Sequence, residues 1–271
     1  MAVPKAKVIE RLHANVDSIL KTATDKEREF FSSEIYSPFL SQGKSGDASP
    51  FIKSLFPEIR LAAIIERSLN TALGWGWDKM VADIAHATHG NAVVGHYVEG
   101  QIPATTASLI NNLTSAYTAG EGHSIPDTTA ELAAIIPGVN APGAKEDVRE
   151  KDDVFYVDGS GLENHIEIKT PKPNYDQARA AKRRILRIHA VRHPTQVTAL
   201  VGMAYNPNGL YGEYAWPTTK YFLDFAVDLK VGRDFWNYIG NSPETYDQLL
   251  ACFLEVSHER RDDLRQLLTK I

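Results

Sequence analysis

The chain has 271 residues, of which 43% are hydrophobic and 23% charged, and its formal net charge is −5. Such a composition is that of a soluble globular protein able to bury a sizeable core, in one elaborated domain or two small ones. The acidic balance does not advertise nucleic-acid binding, although a basic patch can sit on an acidic body. The single cysteine, Cys252, lies in an apolar run and reads as a core residue; it rules out an internal disulfide and fits a reducing cytoplasm. The N-terminus is polar, without a signal-peptide core, and no apolar run reaches transmembrane length.

Val8, Ile9, Leu12, Val16, Ile19 and Leu20 recur at helical spacing, and a second helix is expected over Asp25–Ile35, capped by Thr24 or Asp25. Ser41–Pro50 is a polar loop. Phe51–Thr88 returns to helix, with Pro57 suited to a first turn and Gly74 and Gly76 interrupting. Asp78 follows Gly74 by one helical turn and is a candidate for a metal site, with Glu66 a more distant one; a surface salt bridge or cap is the bland alternative for both. Ala92–Ile102 reads as a strand ending at Pro103, and Thr105–Tyr117 as a helix. Thr128–Ile136 is a short helix between loops at Gly120–Asp127 and Pro137–Lys145. His96 and His123 are isolated and are given no site.

The stretch Asp152–Pro173 (DDVFYVDGSGLENHIEIKTPKP) reads as two strands around a turn at Asp158–Gly161. Pairing Val154–Val157 with His165–Ile168 sets Asp153 beside Glu167. Glu167 and Lys169 share one strand face, while Ile168 points to the core. Acidic oxygens suit a hard cation such as Mg²⁺, and a lysine beside them can orient an attacking water on a phosphate. Adjacent strand residues face opposite ways, so only one of Asp152 and Asp153 is expected to meet Glu167; Asp153 is chosen, and Asp152→Asn should be mild. A D…ExK skeleton with a free gap also arises by chance, as an ordinary surface hairpin.

Tyr175–His193 is an amphipathic helix with Ala178, Ala181, Ile185 and Ile188 as its buried stripe. Arg179, Lys182, Arg183, Arg184 and Arg187 hold the polar positions. Phosphate contact is expected from Lys182 and Arg183, and from Lys172 and Asn174 at the strand-to-helix junction; a solvated charged face is the alternative. Gln196–Tyr205 is a buried central strand, Asn206–Gly209 a turn, Thr218–Leu229 a strand or short helix, and Pro243–Val256 with Glu259–Leu268 two closing helices. A mixed sheet flanked by helices is the simplest architecture. The division expected is a helical segment and loop over 1–50 and a second domain over 51–271, in one compact unit.

EIKTPKPN, the Lys-Arg helix after it, AYNPNGLY, DFAVDLKVGRDFWNYIG and TYDQLL resemble the TdeIII-type family of type II restriction endonucleases, as does the upstream ERSLNTALGWGWDK. The resemblance spans roughly residues 60–260 in motif order. It implies an α/β PD-(D/E)XK core with helical additions at both ends, in a prokaryotic cytoplasm. It also implies Mg²⁺-dependent cleavage (Mn²⁺ substituting) of double-stranded DNA at a short palindromic site, giving 5′-phosphate ends. A homodimer, and a cognate DNA methyltransferase in the same system, follow from it too. Asp153, Glu167 and Lys169 match the family's catalytic residues, with Asp153, Glu167 and the Ile168 carbonyl on the metal. Asp78 stands where the family is expected to carry Glu, one methylene longer. Two rival functions fit the same residues: a structure-specific repair or recombination nuclease, and a DNA-binding module with a degenerate core.

Overall fold

Two strands joined by a turn that Asp158 ties to itself begin the architecture; burial alternates along the first, while the second buries Asn164, His165 and Ile166 in a row. β4 (Val154–Val157) pairs antiparallel with β5 (Glu163–Ile168), Val154 opposite Ile166 and Val157 opposite Glu163. This register lies two residues from the expected pairing and leaves Asp153 opposite Glu167. The Asp158 carboxylate accepts from Ser160 N, Ser160 Oγ and Leu162 N at 2.8, 2.6 and 3.1 Å, closing the turn as an Asx-type cap. These hydrogen bonds hold its carboxyl below the usual carboxylate range.

The computed structural model describes residues 3–33, 74, 76–117 and 125–263. The expected loop 41–50, the helix upstream of residue 74, Glu66 and His123 lie outside the described residues. The chain divides into two compact units, Met1–Pro4 with Trp77–Gln248 and Lys5–Gly76 with Leu249–Ile271. In the second unit, helix α1 (Lys5–Ser33) runs without a break through Asp25, so the expected second helix is its continuation. Val8, Leu12 and Ile19 are buried along it. Lys5–Glu255 and His13–Glu259 ion pairs, at 2.7 and 2.9 Å, join α1 to the last long helix.

In the first unit, a helix over residues 76–89 (α2) leads to β1 (Val93–Val94) and β2 (Tyr97–Pro103). Helices α3 (Ala104–Ala116) and α4 (Thr128–Ile135) follow, then β3 (Lys145–Lys151). After β4 and β5 come α5 (Tyr175–Arg192), β6 (Val197–Met203), α6 (Pro217–Phe222), β7 (Leu229–Val231), α7 (Arg233–Ile239) and α8 (Thr245–Glu259). The main sheet has the order β1-β4-β5-β6-β7, and β2 with β3 form a separate antiparallel ribbon. β5, β6 and β7 are parallel, joined through α5 and α6 as parallel neighbours require. The mixed sheet flanked by helices is as expected. β3 is not: its sequence, KEDVREK, carries one apolar residue, Val148, which is its one buried position.

Helix α5 packs against both sheets. Ala178, Ala181, Ile185 and Ile188 meet Val197, Ala199, Val201 and Met203 of β6, while Leu186 and Ala190 meet Ile102 and Val148 of the ribbon. On the other side of the fold, Gly202 leaves room for Phe235 of α7; a Cβ at that position would stand 2.1 Å from the ring. Burial of this kind contributes roughly 25 cal/mol per Å² of apolar surface and is the main stabilising term.

The cations of α5 do not form a solvated track. Lys182 is fully buried. Its Nζ lies 2.7 Å from Asp228, 2.5 Å from Glu131 and 2.5 Å from the Thr128 hydroxyl. Burial pushes the Glu131 carboxyl up, and Lys182 opposes that shift. The expectation that Lys182 reaches a phosphate is therefore corrected: the ammonium neutralises two carboxylates inside the fold. Arg187 pairs with Glu146 and Glu150 of β3, and Arg192 with Glu163. Among the described residues Arg183, half-exposed, forms no hydrogen bond or ion pair. Removing one partner of a buried ion pair costs about 3–5 kcal/mol. Lys182→Ala should lower unfolding free energy by that amount in urea titration, whereas Arg183→Ala should change it by less than about 0.5 kcal/mol. A small loss for Lys182→Ala would show that the Glu131–Asp228 pair needs no cation.

Candidate active site

The site lies where the ribbon passes into the main sheet. β3 ends at Lys151 and β4 starts at Val154, so Asp152 and Asp153 occupy a bend rather than a strand. Asp152 N donates to His96 O at 2.7 Å and Gly95 N to Asp153 O at 3.1 Å, so backbone from both sides fixes the bend. Strand alternation does not apply there, and both carboxylates reach the same cluster.

Asp153 Oδ2 accepts from the backbone N–H of Ile168 at 2.6 Å. Burial pushes its carboxyl up, the Ile168 bond opposes this, and Glu167 adds to it. Glu167 Oε1 is ion-paired with Lys169, and its Oε2 accepts from Arg184 Nη1 at 2.8 Å. Asp153, Glu167 and Lys169 thus come together as the sequence suggests. The Arg184 guanidinium reaches on to Asp152 Oδ1 at 2.5 Å. Asp152 Oδ2 is 2.7 Å from His165 Nδ1 and 2.9 Å from His96 Nδ1. Asp152 and His165 are buried, while the His96 ring stacks on Phe155. Alternating charge runs from Lys169 through Glu167 and Arg184 to Asp152, whose other oxygen meets the two histidine rings.

This corrects two expectations. Asp152 is no bystander, because the bend turns it into the network and Arg184 links it to Glu167. His96 is not isolated, because it and His165 share the Asp152 carboxylate. Of the other named residues, Asp78 is in α2, where its carboxylate accepts from Lys79 N at 2.8 Å. Among the described residues no hydrogen bond or ion pair joins it to Asp153, Glu167 or Lys169. Lys172 is exposed, with its ammonium 5.5 Å from the Trp216 ring centre. Asn174 is the N-cap of α5 in a full capping box, its Oδ1 accepting from Gln177 N at 2.9 Å.

Two donor sets could hold a metal. His96, Asp152 and His165 place one ligand atom each within 4.8 Å of one another. Their contacts are hydrogen-bond lengths to a single oxygen, and atoms bound at about 2.0–2.1 Å around zinc stand roughly 3.3 Å apart. The three side chains satisfy one another as they stand, and imidazole favours transition metals over Mg²⁺. Asp153 and Glu167 offer carboxylate oxygens close enough for their charges to interact, the donor type suited to a hard cation.

Sequence comparison identifies the family. A family described as type II restriction endonuclease, HinfI, matches residues 5–257. The type II restriction enzyme HgiEI of Herpetosiphon aurantiacus is 30% identical over 271 residues, covering 98% of this chain and 97% of that one. HgiBI of the same organism shows the same figures, and HgiCII is 28% identical over 98% of both chains. The chain is thus a type II restriction endonuclease, an enzyme that cuts DNA at specific sites. Its family is that of HinfI, and its resemblance to restriction enzymes holds at the level of this class.

The network makes Asp152 testable. Asp152→Asn removes the charge that faces Arg184 in the interior and should cost about 3 kcal/mol or more, read as a lower midpoint in urea. A change below about 0.5 kcal/mol would restore the mild effect that strand alternation suggests.

Proposed function

We propose that this HinfI-family chain is a Mg²⁺-dependent endonuclease built on the PD-(D/E)XK core of the TdeIII-type enzymes it resembles. The observation that carries the reading is the meeting of Asp153, Glu167 and Lys169 at one end of the β4–β5 pair, beside the carboxyl ends of parallel β5 and β6. Asp153, Glu167 and the Ile168 carbonyl would hold the cation, with Mn²⁺ as substitute. When bound, it would neutralise charge building on the phosphate and polarise the attacking water.

The protein's own groups have separate parts. Lys169, an ammonium paired with Glu167, would hold the water in line with the scissile P–O bond; the water's proton would leave to solvent and the departing 3′ oxygen would take one from solvent. Attack breaks the bond to the 3′ oxygen and leaves a 5′-phosphate. Arg184 keeps the Glu167 carboxylate turned toward the site before any cation arrives, which removes a reorganisation cost. Asp78 lies outside this set of charges. Lys172 and Arg183 are the phosphate contacts of this reading, exposed and half-exposed respectively. A short palindromic target read by a homodimer follows from two-fold symmetry, since each subunit then serves one strand. A cognate methyltransferase would protect the host's own sites.

Digestion of a sequenced plasmid with Mg²⁺, with the product ends mapped, tests this. Discrete bands with 5′-phosphate ends are expected. Glu167→Ala, Lys169→Ala and Asp153→Asn should each slow cutting at least about 100-fold, with DNA affinity largely retained. Glu167→Ala at near wild-type rate, or wild type without metal-dependent nicking, would sink the reading. Cutting confined to junctions or flaps would favour a structure-specific nuclease instead. A monomer mass in sedimentation, both free and on the mapped duplex, would remove the dimer.

A further inference from the structure

Past the end of β6, the chain makes a loop over Tyr205–Trp216 (YNPNGLYGEYAW) that the catalytic cluster does not use. Lys169 N donates to Gly202 O at 3.0 Å, so the loop leaves the sheet beside the strand that carries Glu167 and Lys169. Its returning arm is fastened to the segment after Lys169. Tyr214 OH donates to Pro171 O at 2.7 Å, and Trp216 Nε1 to Pro173 O at 2.9 Å.

The tip between these anchors is held from within. Asn206 Nδ2 donates to Gly212 O at 2.6 Å, and Asn208 Nδ2 to Glu213 O at 2.8 Å. Asn208 N donates to Asn206 Oδ1 at 3.0 Å, and Gly209 N to Asn206 O at 3.1 Å. Gly209 has φ +89°, and a Cβ on Gly212 would stand 2.2 Å from Asn208 O, so the tight fold of the tip needs both glycines. The Asn206 and Asn208 side chains are spent on holding the backbone. Beside the exposed Glu213, the tip offers rings and aliphatic carbon to solvent: Leu210 is 40% exposed, Tyr205 48% and Tyr211 91%.

A loop fixed by its own hydrogen bonds, yet presenting a leucine and two tyrosines outward, is preorganised for a partner. The partner is set by position, because the tip stands at the catalytic end of the sheet of an enzyme whose substrate is duplex DNA. The manner of contact is set by charge. The segment has no Lys or Arg and carries Glu213, so it cannot serve as a phosphate clamp, which needs cations. Aromatic and aliphatic side chains without charge act on bases, by packing on thymine methyls or wedging against a base step.

We propose that Leu210 and Tyr211 enter a groove of the bound duplex and contact bases, making this loop a determinant of site preference while Lys172 beside it engages the backbone. The proposal rests on the nuclease reading above. The test uses the full-length protein, the duplex mapped by plasmid digestion and a scrambled duplex, with Ca²⁺ replacing Mg²⁺ so that DNA is bound and not cut. Affinity is measured over a range of salt for wild type, for the double variant Leu210→Ser with Tyr211→Ser, and for Lys172→Ala. Thermal melting should match wild type for both variants, since these side chains are exposed.

The double variant should lose at least about tenfold in affinity for the mapped duplex, of the size expected for base contacts. Its affinity for the scrambled duplex should stay within about twofold, with an unchanged salt slope. Lys172→Ala should weaken both duplexes alike and flatten the salt slope by about one unit. A double variant that keeps the wild-type ratio between the two duplexes, or weakens both equally, overturns this role for the loop and leaves the nuclease reading standing. A wild type that neither cuts nor prefers any duplex overturns both.

Discussion

One guanidinium holds the candidate site together. Arg184 comes from a helix that crosses behind the sheet, and it bonds Glu167 with one nitrogen and Asp152 with another. Guanidinium is the side chain for this task, since it is planar, always charged and can address two carboxylates at once. Without it, Glu167 and Asp152 would face each other's charge in a desolvated place, beside an Asp153 that burial already pushes toward its neutral form. The same bond orders the chemistry and the packing, because Arg184 shares the helix face that closes the core.

That division of labour resolves the tension between an acidic protein and a polyanionic substrate. Most of the positive charge on α5 is consumed internally, by Glu131, Asp228, Asp152, Glu167, Glu146, Glu150 and Glu163. Of the α5 cations, Arg183 forms no ion pair among the described residues, and Lys172 stands exposed just before the helix. Binding at this face then draws on contacts other than charge as well. A loop that offers rings and aliphatic carbon in place of ammonium groups is consistent with such a surface.

The hairpin was legible because its signals are local: period-two alternation, an Asp-Gly turn and an ExK triplet on one face. The parallel strand β6 was legible from its apolar run. What stayed hidden depended on context. β3 shows no alternation, because it belongs to a ribbon with one buried position. The inward aim of Lys182 and Arg184 left a trace that charge obscured: Lys182 follows Ala178 by four, and Arg184 follows Ala181 by three, so both sit on the stripe that helical period assigns to the core. Asp152 was misplaced by applying strand geometry to a bend. His96 and His165 are far apart in the chain, and only pairing between strands brings both to one carboxylate.

The bend at Asp152–Asp153 also sets where the chain can change length. It is gripped by the segment at Gly95–His96 and hands the chain from the ribbon to the sheet. One residue added between Asp153 and Val154 would move Asp153 out of line with Glu167. The same addition at Ser160, in the turn at the far end of the hairpin, would leave every catalytic neighbour in place. Related chains should therefore vary freely in spacing at the turn and hold a fixed interval from the ribbon to the first apolar residue of β4, so the gap in the D…ExK pattern is elastic at one end only.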